Sequence, residues 1–108
     1  MLLYINLDLN SIKILDDPDT TRTPAAFMAE FAGALAELDP ARLVQVIFET
    51  ERTPLPLIMY INKVQKERAK ANQPVGIKVL HKEDSEVLRN GLRGFDIEYY
   101  KVEEEDAG

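Results

Sequence analysis

Residues 43–71, LVQVIFETERTPLPLIMYINKVQKERAKA, set a nearly unbroken apolar run ahead of a short polar segment and a long amphipathic stretch. Leu43, Val44, Val46, Ile47 and Phe48 make a run too short for a helix. Its apolar character predicts a central strand covered on both faces. Pro54 and Pro56 bracket the start of the helix that follows, which runs from about Pro54 or Leu55 to Ala71. Leu57, Ile58, Ile61 and Val64 form its inward stripe, and Lys63, Lys66 and Lys70 fall elsewhere on its surface. A strand-loop-helix junction leaves backbone N–H groups free at the helix start, the edge where open α/β sheets bind partners and ligands. No glycine cradle accompanies Thr50 and Thr53 here, so the junction reads as a recognition surface more than a catalytic one.

The flanking sequence extends this unit into one sheet. Leu3, Ile5, Leu7 and Leu9 alternate with Tyr4, Asn6 and Asp8, which predicts a strand over residues 2–9. Asn10 and Ser11 supply turn chemistry, and Ile12, Ile14 and Leu15 form the return arm of a hairpin. The polar segment DDPDTTRTP leads to Thr23 as an N-cap and Pro24 as the first helical residue. Phe27, Met28, Phe31, Leu35 and Leu38 then recur at helical spacing until Asp39-Pro40 ends the helix. After the second helix, Gly76 to Leu80 is a strand, and Asp84 or Ser85 caps a short third helix. In that helix Val87, Leu88 and Leu92 face inward, and Asn90-Gly91 is its stop. Phe95, Ile97 and Tyr99 alternate in a last strand. The expected fold is α/β, a mixed sheet of about five strands in the order ββαβαβαβ with helices packed on it, because each βαβ crossover makes a parallel pair while the opening hairpin is antiparallel.

Whole-chain properties narrow the functional classes. A length of 108 residues with 45% hydrophobic content suffices for one core and is too short for two, so a single domain is expected over residues 1–102, with an acidic disordered tail at 103–108. Cysteine is absent, which removes disulfides, thiolate nucleophiles and thiolate metal sites, and fits a cytoplasmic protein. No apolar run approaches a membrane span and no basic leader precedes the first strand. The net charge of −6 repels phosphate backbones, which disfavours nucleic acid.

The order and spacing of these segments resemble the STAS domain, the fold of bacterial anti-sigma-factor antagonists and of the cytoplasmic tails of sulfate transporters. The resemblance spans nearly the whole chain: the hairpin, FMAEFAGALAEL, RLVQVIFE, the helix ending in KERAKANQP, GIKVL, and EVLRNGLRGFDI. It implies a non-catalytic regulatory module that binds a kinase-like or other signalling protein. In that family the central strand leads into a loop with an aspartate, a phosphorylatable serine and a glycine-leucine pair. This chain has ETERTPLPL there, without serine or glycine, which leaves Thr53 as the nearest hydroxyl and Thr50 as the second.

Each candidate has two readings. Thr53 and Thr50 are phosphoacceptor candidates, and Thr53 also fits a helix cap. Pro54, Leu55, Pro56 and Leu57, with Thr53, form a partner-binding patch if exposed; alternatively the leucines turn inward and only the prolines show, with Leu55 the more exposed leucine. Lys63, Lys66, Arg68 and Lys70 form a basic stretch that could meet phosphate or an acidic protein surface, or reads as a solvated helix face. His81 is the only histidine. It reads as a surface residue at a strand-helix turn, or, with Glu49 and Glu51, as the polar set of a small enzyme or ligand-binding domain. No convergent nucleophile, base and acid appear, so the expectation is a non-enzyme without cofactor or metal. Tyr99 and Tyr100 place a tyrosine on an exposed strand edge, which allows a homo-oligomer.

Overall fold

The computed structural model describes residues 1–16, 23–50, 55–71, 76–82, 86–92 and 96–99. Its elements are β1 (Leu2–Asn6), β2 (Ser11–Leu15), α1 (Pro24–Glu37), β3 (Val44–Glu49), α2 (Leu55–Lys70), β4 (Ile77–His81), α3 (Glu86–Gly91) and β5 (Asp96–Tyr99). The order ββαβαβαβ and the mixed sheet are as the sequence predicts. The strands lie side by side in chain order, β1-β2-β3-β4-β5, with β1 antiparallel to β2 and the rest parallel.

β1 is shorter than its alternating pattern. The Leu9 N–H donates to Asn6 Oδ1 (3.1 Å) and the Asn10 N–H to the Leu7 carbonyl (3.2 Å), so Leu7 and Leu9 lie in the turn and are exposed. Asn10 adopts φ 51°, in the left-handed region that asparagine tolerates better than most residues. Its side chain, 2% exposed, reaches the loop between α1 and β3. Nδ2 donates to the carbonyls of Leu43 (3.0 Å), Asp39 (3.2 Å) and Arg42 (3.4 Å), while Oδ1 accepts from the Asp39 N–H (3.0 Å). The Asn10 carbonyl also accepts from the Gln45 N–H. One turn residue thereby satisfies the loop that feeds the central strand.

Thr23 caps α1 as expected, its Oγ1 accepting from the Ala26 N–H at 3.1 Å. Right-handed crossovers between strands laid in one direction put successive helices on the same side of the sheet. The burial pattern agrees: Ile12, Ile14, Val44, Val46, Phe48, Ile77 and Val79 form one core with Phe27, Phe31, Leu35, Leu57, Ile58, Ile61 and Leu92. Residues on the opposite side of β3, namely Gln45, Ile47 and Glu49, are only half-buried. The expectation of a central strand covered on both faces is therefore corrected. β3 is central, but among the described residues helices cover one face. Among the described residues the open face carries the ion pairs Lys13–Glu49 at 3.1 Å and Lys78–Glu98 at 2.9 Å. Such partly exposed pairs contribute about 0–1 kcal/mol each and let the face meet water rather than hold it together.

The third helix is fixed against the second. A Cβ on Gly91 would lie 2.5 Å from Ile58 Cγ2, and Asn62 Nδ2 donates to the Gly91 carbonyl at 3.4 Å. Asn90-Gly91 thus falls in the last turn of α3, and its glycine is needed for close approach. Gly91→Ala should cost about 1–3 kcal/mol through overpacking. In an Ile58→Ala background the added methyl has space, so the cost should largely vanish in a double-mutant cycle read by urea unfolding.

Candidate functional site

α2 carries every feature of the predicted recognition surface that the structure describes. Its inward stripe buries Leu57, Ile58 and Ile61, so the predicted patch loses Leu57 to the core. Leu55 (55% exposed) and Pro56 remain on the surface, and Met59, one turn on from Leu55, is 64% exposed. Two shallow concavities of about 420 and 440 Å³ meet along Met59, Lys63 and Glu67. The first reaches Pro56 and Tyr60; the second continues to Lys66 and Lys70. An apolar start followed by three lysines makes this face a basic amphipathic ridge on an acidic chain. Thr53, Pro54 and Glu51 lie outside the described residues. Thr50 is fully buried in this conformation, with its hydroxyl closed to an enzyme-sized partner.

The alternative polar set does not converge. His81 is buried rather than on the surface, its ring centroid 5.7 Å from that of Phe48 beneath the helices. The signal was present: Ile77, Val79 and His81 share one face of a period-two strand. Glu49 projects from the open face and pairs with Lys13, on the other side of the sheet from His81. The strand order also contains no reversal, so these strands form no switch-point crevice of the kind in which open α/β sheets hold ligands. Among the described residues, no group of three or more metal-ligating side chains occurs.

Arg68 departs most from its sequence reading. It is 8% exposed and belongs to the buried side of α2, not to the solvated basic face. Its spacing from Leu57, Ile61 and Val64 shows why, since residue 68 continues their stripe. Among the described residues the buried guanidinium Nη1 has no hydrogen-bond partner, and desolvation lowers the Arg68 pKa from its ordinary value. Isolated buried donors are destabilising. Arg68→Met, which keeps much of the volume and removes the charge, should therefore raise unfolding free energy by about 1–2 kcal/mol in urea titrations.

No protein-family model, curated protein or solved structure matches this chain.

Proposed function

We propose that this protein is a non-catalytic regulatory or scaffolding module of the STAS type, which docks a protein partner on the outer face of α2, beginning at Leu55 and Pro56. The observation that carries the reading is the pairing of exposed Leu55 and Met59 one turn apart on a helix whose opposite side buries Leu57, Ile58 and Ile61 in the core. Exposed apolar residues at this spacing, followed by Lys63, Lys66 and Lys70, complement a partner that presents apolar anchors beside acidic groups. The antiparallel opening strand and the ββαβαβαβ order support the STAS comparison. That comparison also brings a signalling protein, kinase-like or otherwise, as the partner class, phosphate at Thr53 as its regulator, and the cytoplasm as its setting. None of the described helices is long and apolar enough to cross a membrane.

The test is affinity capture from the native host with the wild-type chain and a Leu55→Asp/Met59→Asp variant, followed by titration of the partner recovered. Both positions are exposed, so the variant should retain its unfolding midpoint. Partner affinity should fall at least tenfold, equivalent to about 1.4 kcal/mol. Unchanged affinity would move the interaction surface elsewhere on the molecule.

A further inference from the structure

Exposed large apolar side chains fall in two places among the described residues. Leu55 and Met59 belong to α2, whereas Leu2, Tyr4, Ile5, Leu7, Leu9 and Leu43 gather along β1 and the turn that follows it. Leu43 joins that group because its carbonyl accepts from Asn10 Nδ2 at the end of the turn. β1 ends the sheet, and among the described residues no strand pairs with its outer side. Its sequence LLYIN holds neither charge nor proline, two of the devices by which exposed edges keep other strands away. We infer that the outer edge of β1 joins a second copy of this chain, the two β1 strands pairing antiparallel about a two-fold axis at Tyr4.

Charge and symmetry select this occupant. The chain carries a net charge of −6, so two copies meet with least repulsion where the surface is uncharged. The opposite edge, β5, presents the exposed Glu98 instead. A neutral edge also offers no charge by which an acidic or basic partner would be chosen. An antiparallel strand pair is self-complementary, and centring it on Tyr4 is the register that matches all five residues of one copy to all five of the other. Tyr4 then faces Tyr4 on the open side of the sheet. On the helix-covered side, where Leu3 and Ile5 lie in register with Ile14 and Ile12, Leu3 of each copy faces Ile5 of the other. Just past the strand, Leu7 comes opposite Met1. Such aromatic and aliphatic cross-strand pairs stabilise antiparallel strands, while the outer backbone donors and acceptors exchange water for one another. Because the axis closes the pair, growth stops at a dimer. A five-residue pairing lies at the small end of protein interfaces, below about 1,200 Å², so the dimer dissociates on dilution.

The inference does not rest on partner docking, which uses Leu55 and Met59 in the first turns of α2. Sedimentation equilibrium of the full chain, from micromolar to millimolar concentration, should show monomer and dimer with no larger species. Tyr4 is 65% exposed, so Tyr4→Glu and Tyr4→Lys should both keep the fold. Each sets like charges opposite one another across the axis and should weaken the dimer at least tenfold. An equimolar mixture of the two should recover it as a heterodimer. Leu55→Asp/Met59→Asp should associate as the wild type does. In a mixture of isotope-labelled and unlabelled wild type, intermolecular NOEs should link Leu3 to Ile5. A monomer at millimolar concentration, growth into larger assemblies, full association of either Tyr4 variant, no recovery in their mixture, dimer loss in Leu55→Asp/Met59→Asp, or no intermolecular contact between Leu3 and Ile5 would each overturn the proposal. The labelled mixture uses only the wild-type chain, so it decides the question even where a variant does not fold.

Discussion

Asn10→Asp should lower the stability of this protein by about 3 kcal/mol or more at neutral pH. The substitution is nearly isosteric. It replaces an amide nitrogen that donates toward three carbonyl oxygens, at 3.0–3.4 Å, with a carboxylate oxygen facing the same carbonyls at a buried site. Against a total stability of about 5–15 kcal/mol, such a loss is a large fraction. It corresponds to a fall in Tm of about 12 °C or more for a domain near this size. The defect should depend on pH with a definite sign. Burial and the facing carbonyls raise the folded-state pKa of the introduced carboxyl above its unfolded value of about 3.9. The charge-related part of the penalty is then absent below about pH 4 and grows as pH rises through the folded-state pKa. Asn10→Gly, which accepts φ 51° and introduces no charge, should lose less and show no such pH dependence. Thermal melts of the three proteins between acid and neutral pH decide it. Equal melting curves for wild type and Asn10→Asp would mean that the loop before β3 is not held by this side chain.

Phe48→Ala should cost about 3–5 kcal/mol, the range for removing a fully buried aromatic ring. Phe48 stands at the centre of the helix-covered face, in register with Ile14 on one side and His81 on the other. Those strand neighbours are fixed by their ladders and cannot close the space left behind. Ile47 is the informative comparison, because it is adjacent in sequence yet projects from the open face, where it is half-buried. Ile47→Ala should cost about 1 kcal/mol, in keeping with the smaller apolar area it withdraws from water. Urea midpoints with unchanged m-values give both numbers. Equal losses would require the second face to be covered in solution.

The elements were legible because their signals are local. Thr23-Pro24 opens α1, Asp39-Pro40 closes it, and period-two or period-3.6 spacing distinguishes the rest. What was not legible depended on how many layers cover the sheet. The run Leu43–Phe48 looks the same whether helices lie on one face or two, and only the monotonic strand order decides it. Leu7 and Leu9 continue the alternation of β1, yet Asn6 and Asn10 turn the chain beneath them. At the candidate site, the exposure of Leu55 and the inward turn of Leu57 were both among the sequence readings. Arg68 and His81 were misread because residue type was weighted above position. Each continues an apolar stripe, one with helical and one with strand spacing, and position prevailed over side-chain polarity in both.

Strand order identical to chain order has a consequence for how the molecule comes into being. As the polypeptide emerges from synthesis, each new strand finds its only required neighbour already made, and each parallel pairing closes no more than one helical crossover. Synthesis from the N-terminal side makes β1 and β2 available to pair before β3, whose leading segment Asn10 holds, and leaves β4 and β5 to extend the same edge. A sheet laid down in this direction has no strand that must be inserted late between two others, which spares it the misregistered intermediates that interleaved α/β sheets must undo.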